Sequence, residues 1–203
     1  TPTPTLTPTP CIFSPATIPT YSGNATLNFK LKFQGIMKAV ASAYNTQLVK
    51  IKIQDQSTGE VSETRLANFS QNGSSVWEGN VKFDVVAGDK YKIFIKGPRH
   101  IQKKICDSQP SETVPGYYQC SDGNIALTSG INNLDFTGII QVVGDLSPQD
   151  GIVNSYDVSL IVNNLGKKDC PLLKAADLNL DGIIDTQDYS LIISALAIKL
   201  DEN

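Results

Sequence analysis

Asp177-Leu178-Asn179-Leu180-Asp181-Gly182-Ile183-Ile184-Asp185-Thr186-Gln187-Asp188 places oxygen-bearing side chains at positions one, three, five, nine and twelve of a twelve-residue segment, with glycine at position six. Calcium takes six to eight oxygens at about 2.3–2.6 Å, and a loop of this length supplies them from those positions plus the backbone carbonyl at position seven, here that of Ile183. The glycine permits the sharp turn. The carboxylates of Asp177, Asp181, Asp185 and Asp188, gathered around one point, repel by about 4 kcal/mol per close pair at an effective dielectric near 20, so the loop needs a cation to close. A polar turn before a helix would need only two or three such residues and no glycine in register.

Thirty-one residues upstream, counting from Asp188 to Asp157, Asp150-Gly151-Ile152-Val153-Asn154-Ser155-Tyr156-Asp157 repeats the second half of that loop. The following Val158-Ser159-Leu160-Ile161-Val162 repeats Tyr189-Ser190-Leu191-Ile192-Ile193. The chain contains a duplication, and a second calcium site is expected from Asp150, the carbonyl of Ile152, Asn154 and Asp157. Counting back from Asp150 puts Leu146 at the first ligand position. One inserted residue within 146–149 returns Asp145 to that role in a thirteen-residue loop, with Ser147 or Gln149 supplying the third oxygen and Pro148 in the bulge.

This duplicated loop-and-helix unit resembles the dockerin domain, over about residues 144 to 200. Aspartate rather than glutamate at position twelve, and the expected lack of a helix leading into each loop, separate it from the helix-loop-helix calcium sensors. The resemblance implies two bound calcium ions, docking onto a cohesin-like protein module, and an extracellular or cell-surface place in a bacterium. It also implies recognition by loop positions ten and eleven, which are Ser155 and Tyr156 in one half and Thr186 and Gln187 in the other. These pairs differ, so a symmetric two-way binding mode is not expected.

Upstream of the loops the chain alternates. Leu27, Phe29, Leu31 and Phe33 share one side of a strand with Asn28, Lys30 and Lys32 on the other. Val49, Ile51 and Ile53 repeat the pattern, as do Trp77, Val81, Phe83 and Val85, then Tyr91, Ile93 and Ile95 after the turn Ala87-Gly88-Asp89. Further strands are expected near 101–105, 125–127 and 134–143. Seven to nine short strands with turns at Gly59 and Asn72-Gly73 predict an antiparallel β-sandwich. The run from Gly88 to Gly97 resembles a late strand of immunoglobulin-like surface modules of the collagen-adhesin B-repeat or carboxypeptidase-regulatory type. It covers ten residues and assigns no ligand.

Thr1 to Pro10 alternates threonine and proline, which favours an extended solvated linker. The expected organisation is therefore multi-domain: a Thr/Pro-rich linker at 1–20, an immunoglobulin-like antiparallel β-sandwich at 21–143, and a small all-α dockerin-like domain with two calcium loops at 144–203. The apolar run 139–143 enters Gly144 with no flexible spacer, which predicts that the two domains touch. Asn24, Asn68 and Asn72 begin N-glycosylation triplets.

A net charge of −3 over 203 residues, with no block of Lys and Arg, excludes nucleic acid as an expected partner. No apolar run reaches the roughly 18 residues of a membrane span. The chain opens without Met or an apolar leader, as a processed or excised segment would, so export is an expectation. It rests on the four cysteines Cys11, Cys106, Cys120 and Cys170, which have no CxxC spacing and are read as two disulfides. Cys106 with Cys120 closes a short loop between strands, and Cys11 with Cys170 would tie the N-terminus to the calcium module. Three pairings exist, and spacing does not select among them.

Arg99, His100, Lys103 and Lys104 are read as a solvated strand edge guarded by charge rather than as an anion site. Trp77 is read as core, and Tyr117 and Tyr118 point to opposite faces of any strand. With one histidine, no nucleophile elbow and no acid pair beyond Asp84, Asp89 and Asp135, catalysis is not expected. Besides a structural stalk or pilin-like surface subunit that calcium only rigidifies, two functions remain. One is non-catalytic docking through the calcium-ordered helices. The other is a polysaccharide-binding or adhesive sandwich with the calcium module as a rigid cap.

Overall fold

Strict alternation buries one face of each strand, and the computed structural model, which describes residues 11–71 and 73–203, shows what that face packs against. The Thr/Pro tract 1–10 and Asn72 lie outside the described residues. Eight strands form among the described residues: β1 Ala25–Leu31, β2 Thr46–Asp55, β3 Arg65–Gln71, β4 Trp77–Phe83, β5 Lys90–Lys96, β6 Lys103–Ile105, β7 Ile125–Ala126 and β8 Gly130–Asp135. They make one sheet in the order β6-β5-β2-β3-β4-β1-β8, with β7 beside β5.

This sheet curls into a half-barrel and covers its own apolar face. Phe29 packs on Phe69 and Phe136 at ring separations of 6.2 and 6.0 Å, and Phe33 stands edge-on to Trp77 at 5.9 Å. Trp77 is wholly buried in the core. Neighbouring strands are antiparallel except β1 and β8, which run parallel from Ala25 opposite Gly130 to Lys30 opposite Asp135. Alternation tells which side of a strand is buried but not which strand lies beside it, and ninety-odd residues between β1 and β8 leave the direction free. β3 has a weak signal of its own, because only Ala67 and Phe69 carry its apolar side.

After β8 the chain draws one end of the curl together. Gln34 N donates to Gln141 O, Ile101 N to Val142 O, and Gly144 N to Arg99 O, each at 2.9 Å. This drawn-in end faces the helices α1 Ser155–Val162, α2 Cys170–Ala176 and α3 Thr186–Ala195. It also buries Arg99, His100 and Lys103, so the basic cluster is not the solvated edge expected of it. His100 stacks 4.6 Å from the Phe33 ring, and Lys103 Nζ donates to the carbonyls of Gly116 and Tyr118 at 3.0 and 3.2 Å.

Sheet and helices share one apolar core, in which Leu146, Ile161, Leu173, Ile184 and Ile192 continue the cluster of the sheet. Gly35, at φ +82°, lets the sheet end approach closely: a Cβ there would lie 2.8 Å from Leu178 O and 2.9 Å from Leu191 Cδ1. The disulfides are Cys11–Cys170 and Cys106–Cys120. Residues 11–20, read from sequence as linker, are anchored rather than free. Beyond the disulfide, Phe13 is buried and Ala16 exchanges two hydrogen bonds with the Asn68 side chain.

Candidate metal centre

Each loop ends inside the first turn of a helix, and the same residues serve both. Asn154 caps α1 by accepting from Tyr156 N at 2.7 Å, and Asp185 caps α3 by accepting from Gln187 N at 2.7 Å. Asp157 and Asp188, three residues further on, return a carboxylate oxygen to the cap amide at 2.9 and 2.8 Å. These are capping boxes, so positions nine and twelve of each loop start a helix by local chemistry alone. α2 leads directly into the second loop, contrary to the expected lack of a preceding helix. Pro171 sits in its first turn, where a missing N–H costs nothing.

The loops share a backbone frame. Asp188 Oδ1 accepts from Leu178 N at 2.7 Å, and Asp157 Oδ1 accepts from Leu146 N at 2.8 Å. Asp177 Oδ2 accepts from Gly182 N at 2.9 Å, and Asp145 Oδ2 accepts from Gly151 N at 3.0 Å. Asp145 therefore stands in its loop where Asp177 stands in the other, with the extra residue accommodated between them and the glycines. Those glycines hold φ of +87° and +90°, a region closed to most side chains. The second loop also holds Leu180 at φ +59°, an uncommon conformation for a residue with a Cβ.

Charge separates the two. Asp145, Asp157, Asp177 and Asp188 are all buried. In the second loop Asp177 Oδ1 is buried with no hydrogen-bond partner, and burial pushes this carboxyl up to about 6, with the Asp188 carboxylate adding to the rise. Burial likewise raises Asp188. An unpartnered buried carboxylate oxygen is a costly feature that a bound cation would satisfy. Asn179, Asp181 and Asp185 turn one oxygen each onto the amides of Asp181, Ile183 and Gln187, at 3.0, 3.1 and 2.7 Å. With the unpartnered Asp177 Oδ1, these residues make an all-oxygen donor set of the kind that suits calcium. No group of three His, Cys, Asp or Glu side chains stands at metal-holding distance among the described residues.

In the first loop Asp145 Oδ1 accepts from Asp150 N at 3.1 Å. Lys96, from β5, makes an ion pair with Asp145 Oδ2. The same ammonium lies 2.5 Å from Asp201 Oδ2. Burial still raises the Asp145 carboxyl against the pull of Lys96. Arg99 approaches the other loop from the sheet. Its Nη1 and Nη2 donate to Lys174 O at 3.0 Å and Gln47 Oε1 at 2.6 Å, its buried Nε has no partner, and burial lowers its pKa to about 10 against the opposing pull of Asp177 and Asp188.

Residues 143–197 match the dockerin type I domain. No curated protein matches the chain. Dockerin domains are non-catalytic protein–protein docking modules that bind calcium and cohesins, and they occur in extracellular or cell-surface proteins. The matched segment is preceded here by the half-barrel, and no helix among the described residues is long and apolar enough to cross a membrane.

The four residues expected to touch a partner differ in their surroundings. Ser155 and Tyr156 are exposed at the start of α1, with Tyr156 at 57%. Thr186 and Gln187 are exposed too, but they line a shallow recess shared with Gly35, Ser190 and Leu191 beside the sheet end. Sequence reading did not link Lys96, Arg99 or Asp201 to the loops. Only the asymmetry of the repeat, with one irregular half, hinted that the two loops meet different surroundings.

Proposed function

We propose that residues 144–203 form a calcium-ordered docking domain for a cohesin-type partner, and that the half-barrel at 21–143 is an immunoglobulin-like module carrying it in a bacterial protein outside the cell. Asp177, Asn179, Asp181, the Ile183 carbonyl, Asp185 and Asp188 hold the ion in the second loop. Asp145, Asp150, the Ile152 carbonyl, Asn154 and Asp157 are the corresponding set in the first. The ion neutralises the carboxylates of the loop that holds it, and the chain's own side chains make the contact with the partner.

One observation carries this reading: exposed apolar residues gather on the helices that follow the loops. Tyr156 and Val162 on α1 and Tyr189 and Ile193 on α3 are all more than a third exposed. Ser155, Tyr156, Ser159 and Val162 follow helical spacing and share one face of α1, as Thr186, Gln187, Ser190 and Ile193 share one of α3. Aromatic and aliphatic residues open to solvent on a helix face suit a protein partner. Purified cohesin modules, and the source's secreted and surface proteins, are expected to retain the chain in calcium and release it in chelator. Calorimetry with no calcium uptake would end this reading.

The second reading places a polysaccharide on the sheet. It is favoured by a recess on the outer face of β1, β4 and β8, where Asn28, Asn80 and Asn133 lie among Lys30, Glu78 and Asp135. Trp77 and Tyr118 are buried, which leaves Tyr117 as the exposed member of the aromatic set weighed from sequence. Glycan-array binding that is lost on Asn80→Ala and kept in chelator would favour this reading.

A further inference from the structure

Asp145 and Asp177 hold matching places in their loops, yet their oxygens end differently. Both oxygens of Asp145 are engaged: Oδ1 by Asp150 N, and Oδ2 by Gly151 N and the Lys96 ammonium. That ammonium also lies 2.5 Å from Asp201 Oδ2. Asp201 is itself fixed, since its N donates to Gly151 O at 2.9 Å and its Oδ1 accepts from Gln102 N at 2.7 Å. Lys50 stands opposite Lys96 in the β2–β5 ladder and donates to Gln149 Oε1 at 2.9 Å. Gln149 Nε2 is held by Gly97 O at 2.9 Å. Gln149 is one of two residues whose oxygen could fill the third ligand position of the loop, and a lysine already takes it. In the second loop Arg99 is near enough for its charge to be felt by Asp177, but no ion pair forms between them among the described residues, and Asp177 Oδ1 is unpartnered.

We infer that Lys96 is the resident cation of the first loop and closes it to calcium, so that the chain takes one ion, in the second loop. This rests on the calcium reading proposed above and narrows it. An ammonium already paired with a buried carboxylate competes with a dication for it, because like charges repel strongly where water is excluded. Lys96 is 7% exposed at the end of β5, and withdrawing it would strip a buried charge of both its carboxylates. The first half of the helical module thus keeps its shape at any calcium concentration, and the second half responds to the ion.

The test uses the whole chain titrated with calcium, followed by calorimetry and by the backbone amide resonances of Gly151 and Gly182. One ion is taken up, Gly182 shifts, and Gly151 stays. Two ions with both glycines shifting overturn the inference and leave the docking reading standing, whereas no uptake overturns the docking reading. Lys96→Met frees Asp145 and Asp201 and raises the stoichiometry to two; a folded variant that still binds one ion overturns the role given to Lys96. Lys96→Arg serves as the second variant: it keeps a cation beside Asp145 and Asp201 and leaves one ion bound with the Gly151 resonance unmoved, and a second ion bound there overturns the inference.

Discussion

The two loops come from one duplicated sequence and build nearly the same backbone, but the first is neutralised from within the protein and the second is left for an external cation. Both start a helix through a capping box, and both hold a buried aspartate against a glycine amide. What differs is the neighbour. The first loop lies over the end of the β2–β5 ladder, where Lys50 and Lys96 face it, while the second lies near Arg99, which makes no ion pair with it and whose Nη donors are directed elsewhere. A repeated motif therefore does not carry a repeated function unless the surface beneath it repeats as well.

The largest expected effect comes from removing the internal cation. In chelator, Lys96→Met leaves Asp145 and Asp201 facing each other in a buried site and is expected to cost about 3–5 kcal/mol of stability by urea unfolding, with part of the loss recovered in calcium. An unchanged unfolding midpoint would erase the distinction between the loops. Next, Asp177→Asn removes a charged ligand from the open loop and should weaken calcium binding about a hundredfold or more by calorimetry. The same variant should be more stable than wild type in chelator, because it no longer buries an unpartnered carboxylate oxygen.

The helix faces sharpen the contrast further. Tyr156→Ala is expected to weaken cohesin-type docking by about 2 kcal/mol, as an exposed aromatic anchor would, and Gln187→Ala, beside the sheet end, by much less. Equal losses in surface plasmon resonance would restore a symmetric binding mode. The smallest effect belongs to the sheet beneath the first loop. His100 is fully buried, and burial together with Arg99 holds its pKa well below 6.5. The unfolded chain takes up a proton on this residue below about pH 6.5 and the folded chain does not. Stability from this source is therefore complete above that pH and declines below it, by at most about 1.4 kcal/mol per pH unit. His100→Phe should flatten that slope in unfolding curves measured at pH 7 and 5.5, with calcium present or absent.

Much of this was legible from residues alone. The strand faces of β1, β2 and β4 follow from alternation, and the buried side of each matches the apolar side read from sequence, whereas β5 buries Tyr91, Ile93 and Ile95 as read but also Phe94 and Lys96 on its other face. β3 was not legible, because Ala67 and Gln71 contribute inward positions without a hydrophobic signature. Arg99, His100 and Lys103 read as surface because charge is usually solvated. They are buried because the end of the curl is covered by the helices and the C-terminal tail, which supply carbonyl and carboxylate partners such as Lys174 O and Glu202. The short helix α2 was missed because Cys170-Pro171-Leu172 reads as a turn until the disulfide to Cys11 and the core contact of Leu173 hold it.

By itself the sequence determined what is periodic or local: the spacing of the loop oxygens, the glycine turns, the caps that launch α1 and α3, and the alternation of the strands. Interactions over a few residues write those features directly into residue order. The tertiary structure decided which cysteines pair, that β8 lies parallel to β1, and which cation each loop faces. Lys96 reaches Asp145 across 49 positions and Asp201 across 105. A contact at that separation depends on how the sheet curls beneath the helices and leaves no pattern in the neighbouring residues.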